Sequence, residues 1–198
     1  MYKRQIAHSQ NGDYFEKILS KPLFIAEQNS APVARGTAHH KFLQYCNFEQ
    51  ARASLDTEID RLLNDGKLTQ EQVDMIDRKT LNEFLSTKLI DRIIASQLVM
   101  REKRFTARLK PSDVFDEYKG VKTDVTVIIQ GAVDLAFVED GKLVIVDYKT
   151  DRVKDITKLA GLYKKQLYLY KSAMEQSEEL TVKECILCSI HLGAYITV

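Results

Sequence analysis

The chain has 198 residues, 44% hydrophobic and 29% charged, a balance that excludes a disordered polymer and suffices for one domain with a proper core and room for a helical lobe. A net charge of +1 gives no global signature of nucleic-acid binding. With no apolar run of about 18 residues, no signal-peptide pattern and only three cysteines, neither a membrane partner nor a disulfide framework is expected, and cytoplasm is the default compartment.

Residues 1–35 read as an N-terminal extension packing on the domain, with a short helix over Tyr14–Leu19 and an extended stretch at Pro22–Phe24. The domain proper is expected over 36–198. Thr37 can cap a helix that starts just after it, and along that helix His40, Leu43, Gln44 and Asn47 share a side. A histidine there either packs and caps locally or offers a ring nitrogen to a metal. Ser54–Gly66 and Thr69–Ser96 read as helices, the second opened by a Thr69/Gln72 capping box. Ile59, Leu62 and Leu63 form one apolar stripe. Val73, Ile76, Leu81, Phe84, Leu85, Leu89, Ile93 and Ile94 form another, at spacings of three and four. Both stripes are core, and together they predict a helical lobe over about 54–97.

The period changes to two over Leu98–Leu109, which predicts a strand. Five cations, Arg101, Lys103, Arg104, Arg108 and Lys110, sit there against Glu102 alone. A second basic stretch holds Lys149, Arg152, Lys154, Lys158, Lys164 and Lys165 against Asp151 and Asp155. If both line one cleft, that cleft tracks a phosphate backbone; taken singly, each is a solvated face. Pro111–Lys122 reads as a loop, and Thr126–Gln130 restarts the sheet.

The most informative stretch is Gly131–Thr150. Two apolar runs flank Glu139-Asp140-Gly141, a hairpin signal. Val133, Leu135 and Phe137 are expected on one face, with Asp134 on the other. Leu143–Tyr148 is nearly all apolar, as in a strand buried on both sides. Asp147 and Lys149, two apart, share a face, and pairing across the turn sets Asp134 roughly opposite Asp147. Two crowded carboxylates and a lysine are either a salt bridge on an exposed face or a magnesium or manganese site with its lysine. Beyond a charged loop, Lys158–Gln176 is helical, with Gln166 and Tyr170 on its apolar side. Val182–Ser189 and Ala194–Val198 close the sheet. Cys185 and Cys188 have CxxC spacing inside a strand, without the second pair that zinc requires.

Gly131-Ala132-Val133-Asp134 followed by Asp147-Tyr148-Lys149 resembles the GxxD…(D/E)xK signature of the PD-(D/E)XK nuclease superfamily. Val144–Asp151 is similar to its RecB-type branch, and within that to the C-terminal nuclease domain of the A-type chain of the bacterial AddAB (RexAB) helicase–nucleases. Gly36–Gln44 resembles the GTxxHxxLQ motif, whose fifth position, here His40, is a metal ligand. Glu102-Lys103-Arg104-Phe105 resembles the REhPF-like stretch, with Arg104 in place of the common proline; Glu102 is then an auxiliary acid, or else a surface glutamate. Gln166–Tyr170 resembles the QLxxY motif. The four main motifs follow the family order and cover the chain from Gly36 onward.

The resemblance implies an α/β, restriction-endonuclease-like fold: a small mixed sheet flanked by helices, with an inserted helical lobe. It implies a metal-dependent DNA exonuclease domain of a helicase–nuclease complex acting in double-strand break repair and recombination. Mg2+ or Mn2+ would be held by His40, Asp134, Asp147 and the Tyr148 carbonyl. Asp134, Asp147, Lys149, Gln166 and Tyr170 would be catalytic, and Gln166, Tyr170 and Arg152 would contact DNA, in single-stranded form. The implied partners are a helicase motor in the same full-length chain and a second nuclease chain of the B type. Some RecB-type relatives carry an iron–sulfur cluster on four cysteines; three cannot supply it, so none is expected. No GxxxxGK[ST] marks an ATP site, which puts the motor outside these residues. The alternatives are a catalytically silent DNA-binding or scaffolding module, which typically lacks a ligand or the lysine, and a free-standing nuclease or junction resolvase.

Overall fold

The computed structural model describes residues 31–122 and 124–198; the expectations for Tyr14–Leu19 and Pro22–Phe24 lie outside them. Among the described residues six helices precede the sheet: α1 Ala31–Tyr45, α2 Phe48–Ala53, α3 Leu55–Asn64, α4 Gln70–Met75, α5 Arg78–Leu85 and α6 Lys88–Ala95. Strand β1 (Val99–Leu109) follows, then the one-turn α7 (Pro111–Val114) and a 3-10 turn at Asp116–Tyr118. The hairpin β2 (Val127–Glu139) and β3 (Lys142–Lys149), helix α8 (Ile156–Glu178), β4 (Val182–Ser189) and β5 (Ala194–Thr197) complete the order. The five strands form one mixed sheet in the order β1-β2-β3-β4-β5. Only β3 and β4 run parallel, as the α8 crossover between them demands.

Two hydrophobic cores share this sheet. One packs the helical lobe against it: Phe42, Phe84, Ile90 and Ile93 meet Leu135, Phe137, Val144, Val146 and Tyr148. The other packs α8 on the opposite face: Leu167, Tyr170 and Met174 meet Phe105, Ala107, Ile145 and Leu187. β3 feeds both, so its apolar run is buried on both faces as expected. Cys185 faces the α8 core and Cys188 the lobe core, so the CxxC spacing separates two buried, free thiols.

The lobe is more broken than its hydrophobic stripes suggest. The region expected as one helix over 69–96 is three. Asp77 accepts from the Thr80 N–H as an N-cap, and Thr87 is extended before α6; the chain breaks at each point while the stripe from Val73 to Ile93 stays buried. Phe48–Ala53, not anticipated, is a helix because Asn47 leaves α1 and caps α2 through Gln50. Asn47 therefore does not extend the His40 side of α1. Thr37 is no cap: α1 (Ala31–Tyr45) runs through Gly36 and Thr37. The segment expected as a loop holds α7, which Pro111 opens.

Candidate active site

The hairpin turn is as the sequence implies, with Asp140 and Gly141 at φ 52° and 72° closing two strands paired from Glu139↔Lys142 to Leu135↔Val146. There the ladder stops. Asp134 Oδ2 accepts the Tyr148 N–H at 2.8 Å, so a side chain takes over where backbone pairing ends. Across the other ladder, Lys103 pairs with Val133 and Arg101 with Leu135. Glu102, between them, has φ 48°, rare for a non-glycine residue and costly inside a strand. The alternation shifts by one at this point. Val133 faces the α8 core, whereas Leu135 and Phe137 face the lobe core, which corrects the expectation that the three share a face.

This kink gathers the ligand-type side chains. His40 on α1, Glu102 on β1 and Asp134 on β2 offer one nitrogen and two carboxylate oxygens within 4.8 Å of one another. His40 Nδ1 is 3.4 Å from Asp134 Oδ1, buried and without a hydrogen bond. His40 can reach this point because α1 lies close on the end of β3. A Cβ at Gly36 would stand 2.7 Å from Thr150 Oγ1, so any larger residue would have to push the Thr150 side chain aside. Arg101 fixes the other end of α1: its guanidinium donates to the carbonyls of Leu43, Gln44 and Cys46 at 3.3, 3.2 and 2.5 Å and stacks on Phe48. His39, the neighbour, is excluded from the cluster. It is buried, with Nδ1 on the Arg35 carbonyl and Nε2 accepting the Asp77 N–H.

Asp147 and Lys149 point to the α8 side. Asp147 is buried, and burial pushes its carboxyl above the ordinary range, with Lys149 opposing and Asp134 adding to the rise. Lys149 Nζ stands 2.7 Å from Asp147 Oδ2 in a close charge pair outside hydrogen-bond alignment, which leaves that oxygen without a hydrogen-bond donor. Lys149 Nζ donates instead to Gln166 Oε1 at 3.1 Å, and Gln166 Nε2 donates to Tyr170 Oη at 2.8 Å. Gln166 and Tyr170, one turn apart on α8, thus form a short relay to the lysine. Phe105 packs edge-on to Tyr170 at 5.6 Å, and its ring stands where a Cβ at Gly131 would be, 2.7 Å from Cζ. Tyr163, one turn earlier on α8, carries Lys149 Nζ 4.1 Å above its ring and points its hydroxyl at Asp151, 3.3 and 3.4 Å away.

The donor set fits a hard divalent cation. It consists of one imidazole and several carboxylate oxygens, and two of its buried atoms, His40 Nδ1 and Asp147 Oδ2, have no hydrogen-bond partner; an ion is the usual remedy for such orphans. Of the expected site residues, His40, Asp134, Asp147, Lys149, Gln166 and Tyr170 converge. Glu102, read as auxiliary, stands with His40 and Asp134 as a full member of the group. Tyr148 contributes its N–H to Asp134, while its ring is buried in the lobe core. Arg152 is exposed in the loop after β3. Sequence reading missed Tyr163 and Arg101. The only trace of Tyr163 was its helical spacing from Gln166 and Tyr170; Arg101 was hidden in a run of cations.

Several cations of the two basic stretches are engaged within the protein. Arg101 is spent on α1, Lys103 pairs with Glu178, Lys149 lies in the buried relay and Lys165 pairs with Asp116.

Residues 14–193 match the PD-(D/E)XK nuclease superfamily. The chain is also 30% identical over 209 residues to the A subunit of the ATP-dependent helicase/nuclease of Clostridium acetobutylicum, covering 99% of this chain and 17% of that protein. It is 31% identical over 191 residues to the protein of the same name from Clostridium botulinum, covering 94% of this chain and 15% of the relative. The chain therefore spans less than a fifth of the curated relatives it matches. The five-stranded mixed sheet flanked by helices agrees with the small mixed sheet that the resemblance implies, and the match extends over nearly all of it: the chain belongs to the PD-(D/E)XK nuclease superfamily.

Proposed function

We propose that this chain is the DNA-hydrolysing exonuclease domain of a helicase–nuclease acting in double-strand break repair and recombination. The observation that carries the reading is the junction of two half-sites at the break in the β2–β3 ladder. A His–Glu–Asp group stands on one side and an Asp147–Lys149–Gln166 relay on the other.

In this reading His40, Asp134, Asp147 and the Tyr148 carbonyl hold Mg2+ or Mn2+, and Glu102 joins them. When bound there, such a cation would supply Lewis acidity toward the scissile phosphate and the attacking water. The protein's own groups do the rest. Asp134 is fixed in advance by the Tyr148 N–H, so one oxygen is held and the other is turned toward His40. Lys149, held by Gln166 from one side and the Tyr163 ring from another, orients the water and balances charge that builds on the phosphoryl oxygens. Gln166 and Tyr170 place the strand through their remaining hydrogen-bonding capacity, and Arg152 meets its backbone. The substrate is single-stranded DNA, delivered by a helicase motor in the same full-length chain and shared with a nuclease chain of the B type in the cytoplasm. The length of the relatives that carry the helicase/nuclease name supports this context.

The test is cleavage of labelled single-stranded and duplex DNA with magnesium, manganese or EDTA, by wild type and by Asp147→Ala and Lys149→Ala. Metal-dependent degradation lost in both variants is the expected result, each falling by at least a hundredfold. Calorimetric titration of Mn2+ separates them further: Asp147→Ala loses the ion, whereas Lys149→Ala keeps it. Absence of both cleavage and Mn2+ binding in the wild type overturns the reading and leaves a silent DNA-binding module.

A further inference from the structure

Among the described residues, nothing packs on one face of the outer β1–β2 ribbon. From Lys103 to Leu109 the residues Phe105, Ala107 and Leu109 face the α8 core. Their alternates, Arg104, Thr106 and Arg108, are all exposed, and Lys110 continues the row as an exposed, extended residue. Opposite them on β2 stand Ala132, Gln130 and Ile128, paired with Arg104, Thr106 and Arg108. Ile128 is 59% exposed, and Gln130 Nε2 donates to Thr106 Oγ1 at 3.4 Å. The helical lobe covers the same side of the sheet only in its inner half, where Val99, Leu135 and Phe137 pack on it. The bare face thus starts where the lobe stops, at Glu102 and Asp134.

The charge on this face is of one sign. The side chains of Arg104, Arg108 and Lys110 make no ion pair among the described residues. No carboxylate occupies the alternate positions from Arg104 to Lys110 or from Thr126 to Ala132. In the same strand Arg101 and Lys103 are both satisfied internally, so the unpaired cations are confined to this row. At about 3.3 Å per residue the row from Arg104 to Lys110 is roughly 20 Å long. A ribbon with cations and a hydroxyl along one strand and amide and aliphatic groups along the other suits a polyanion with apolar rings, as a nucleic-acid strand is.

We propose that the uncovered face of β1–β2 is the track for the phosphodiester backbone of the DNA strand, with Arg104, Arg108 and Lys110 as its phosphate contacts, leading to the site at Glu102, Asp134 and His40. The inference builds on the nuclease reading, and its test is kept separate from cleavage.

Binding of a fluorescein-labelled oligothymidine to the 198-residue protein is measured in EDTA at several salt concentrations. The proteins compared are wild type, the triple variant Arg104→Gln/Arg108→Gln/Lys110→Gln, the single reversal Arg108→Glu, and a control, Lys158→Gln/Lys164→Gln, that removes two exposed cations elsewhere. The triple variant is expected to bind at least tenfold more weakly at low salt. Its slope of log K against log salt should be shallower by about 2, since each phosphate contact on a single strand contributes about 0.7. Arg108→Glu should weaken binding several-fold alone, and the control should match wild type within twofold. An unchanged slope in the triple variant, an equal loss in the control, or no salt-dependent binding by wild type overturns the proposal. In the first case the face falls to a protein neighbour instead. Cleavage by wild type with an unchanged triple-variant slope would keep the nuclease reading and reject the track. Slope loss without metal-dependent cleavage by wild type would do the reverse.

Discussion

At the scale of single residues, the catalytic lysine proposed here is positioned through a chain of contacts that begins at a residue with no side chain. Gly131 leaves room for Phe105, Phe105 packs on Tyr170, Tyr170 accepts from Gln166, and Gln166 accepts from Lys149. Gly131→Ala puts a methyl group 2.7 Å from the Phe105 ring edge and shifts the chain at its far end. The expected outcome in single-turnover cleavage is a loss of about tenfold, roughly 1.4 kcal/mol of barrier, with Mn2+ binding by calorimetry within twofold of wild type. Tyr163 gives a second handle. A cation held over an aromatic face gains about 1 kcal/mol, so Tyr163→Leu should lower cleavage about fivefold. Tyr163→Phe keeps the ring, loses only the contact to Asp151, and should stay near wild type. Equal losses in the two variants would assign the effect to the hydroxyl.

Among elements, the junction of lobe and sheet away from the site is an ion network. Arg92 on α6 donates to both oxygens of Glu139, each at 2.8 Å, and to Glu184 on β4, while Lys183 pairs with Glu139 and Asp140. The Arg92 hydrogen bonds, with those of Lys183, hold the Glu139 carboxyl down from 4.5 to about 2. A carboxylate depressed in the folded state stabilises it fully above its unfolded value and loses that contribution as pH falls through the folded value. Stability from this pair is therefore present above about pH 4.5 and lost between there and about pH 2. Arg92→Met should cost about 2 kcal/mol near neutrality, between the exposed and buried limits for ion pairs. Urea denaturation across pH should show its acid limb flattened in that window relative to wild type. The elements themselves were legible in the sequence to very different degrees. The period of two in Leu98–Leu109, the Asp-Gly turn and the Gln166–Tyr170 spacing are local signals, and the structure contains the elements they foretell. The partition of the lobe was not legible, because Asp77 caps a new helix and Thr87 turns extended inside an unbroken apolar stripe. Nor was the kink at Glu102: a glutamate with left-handed φ leaves no local mark, and the reversed sidedness of Leu135 follows from the neighbouring strand rather than from its own.

For the molecule as a whole, one sheet between two cores predicts one cooperative unit. β3 is buried by both, so neither core can open without exposing it. Phe84→Ala in the lobe and Leu167→Ala in α8 should each cost about 3–4 kcal/mol, and calorimetry should still show a single transition for either. Two separated transitions would mean that the lobe melts as an independent body. The parallel pairing of β3 with β4 also bears on how the enzyme comes into being. Asp147 and Lys149 lie on β3, whose second neighbour, Val182–Ser189, follows it only after the whole of α8. Contacts between residues so far apart in the chain form late. During synthesis the hairpin emerges with its two aspartates already side by side, yet Gln166, Tyr170 and the flanking strand are still to be made. A ribosome-bound chain that has reached only the hairpin therefore carries the acidic pair without its partners, and the proposed site is complete only once residues 156–189 have emerged.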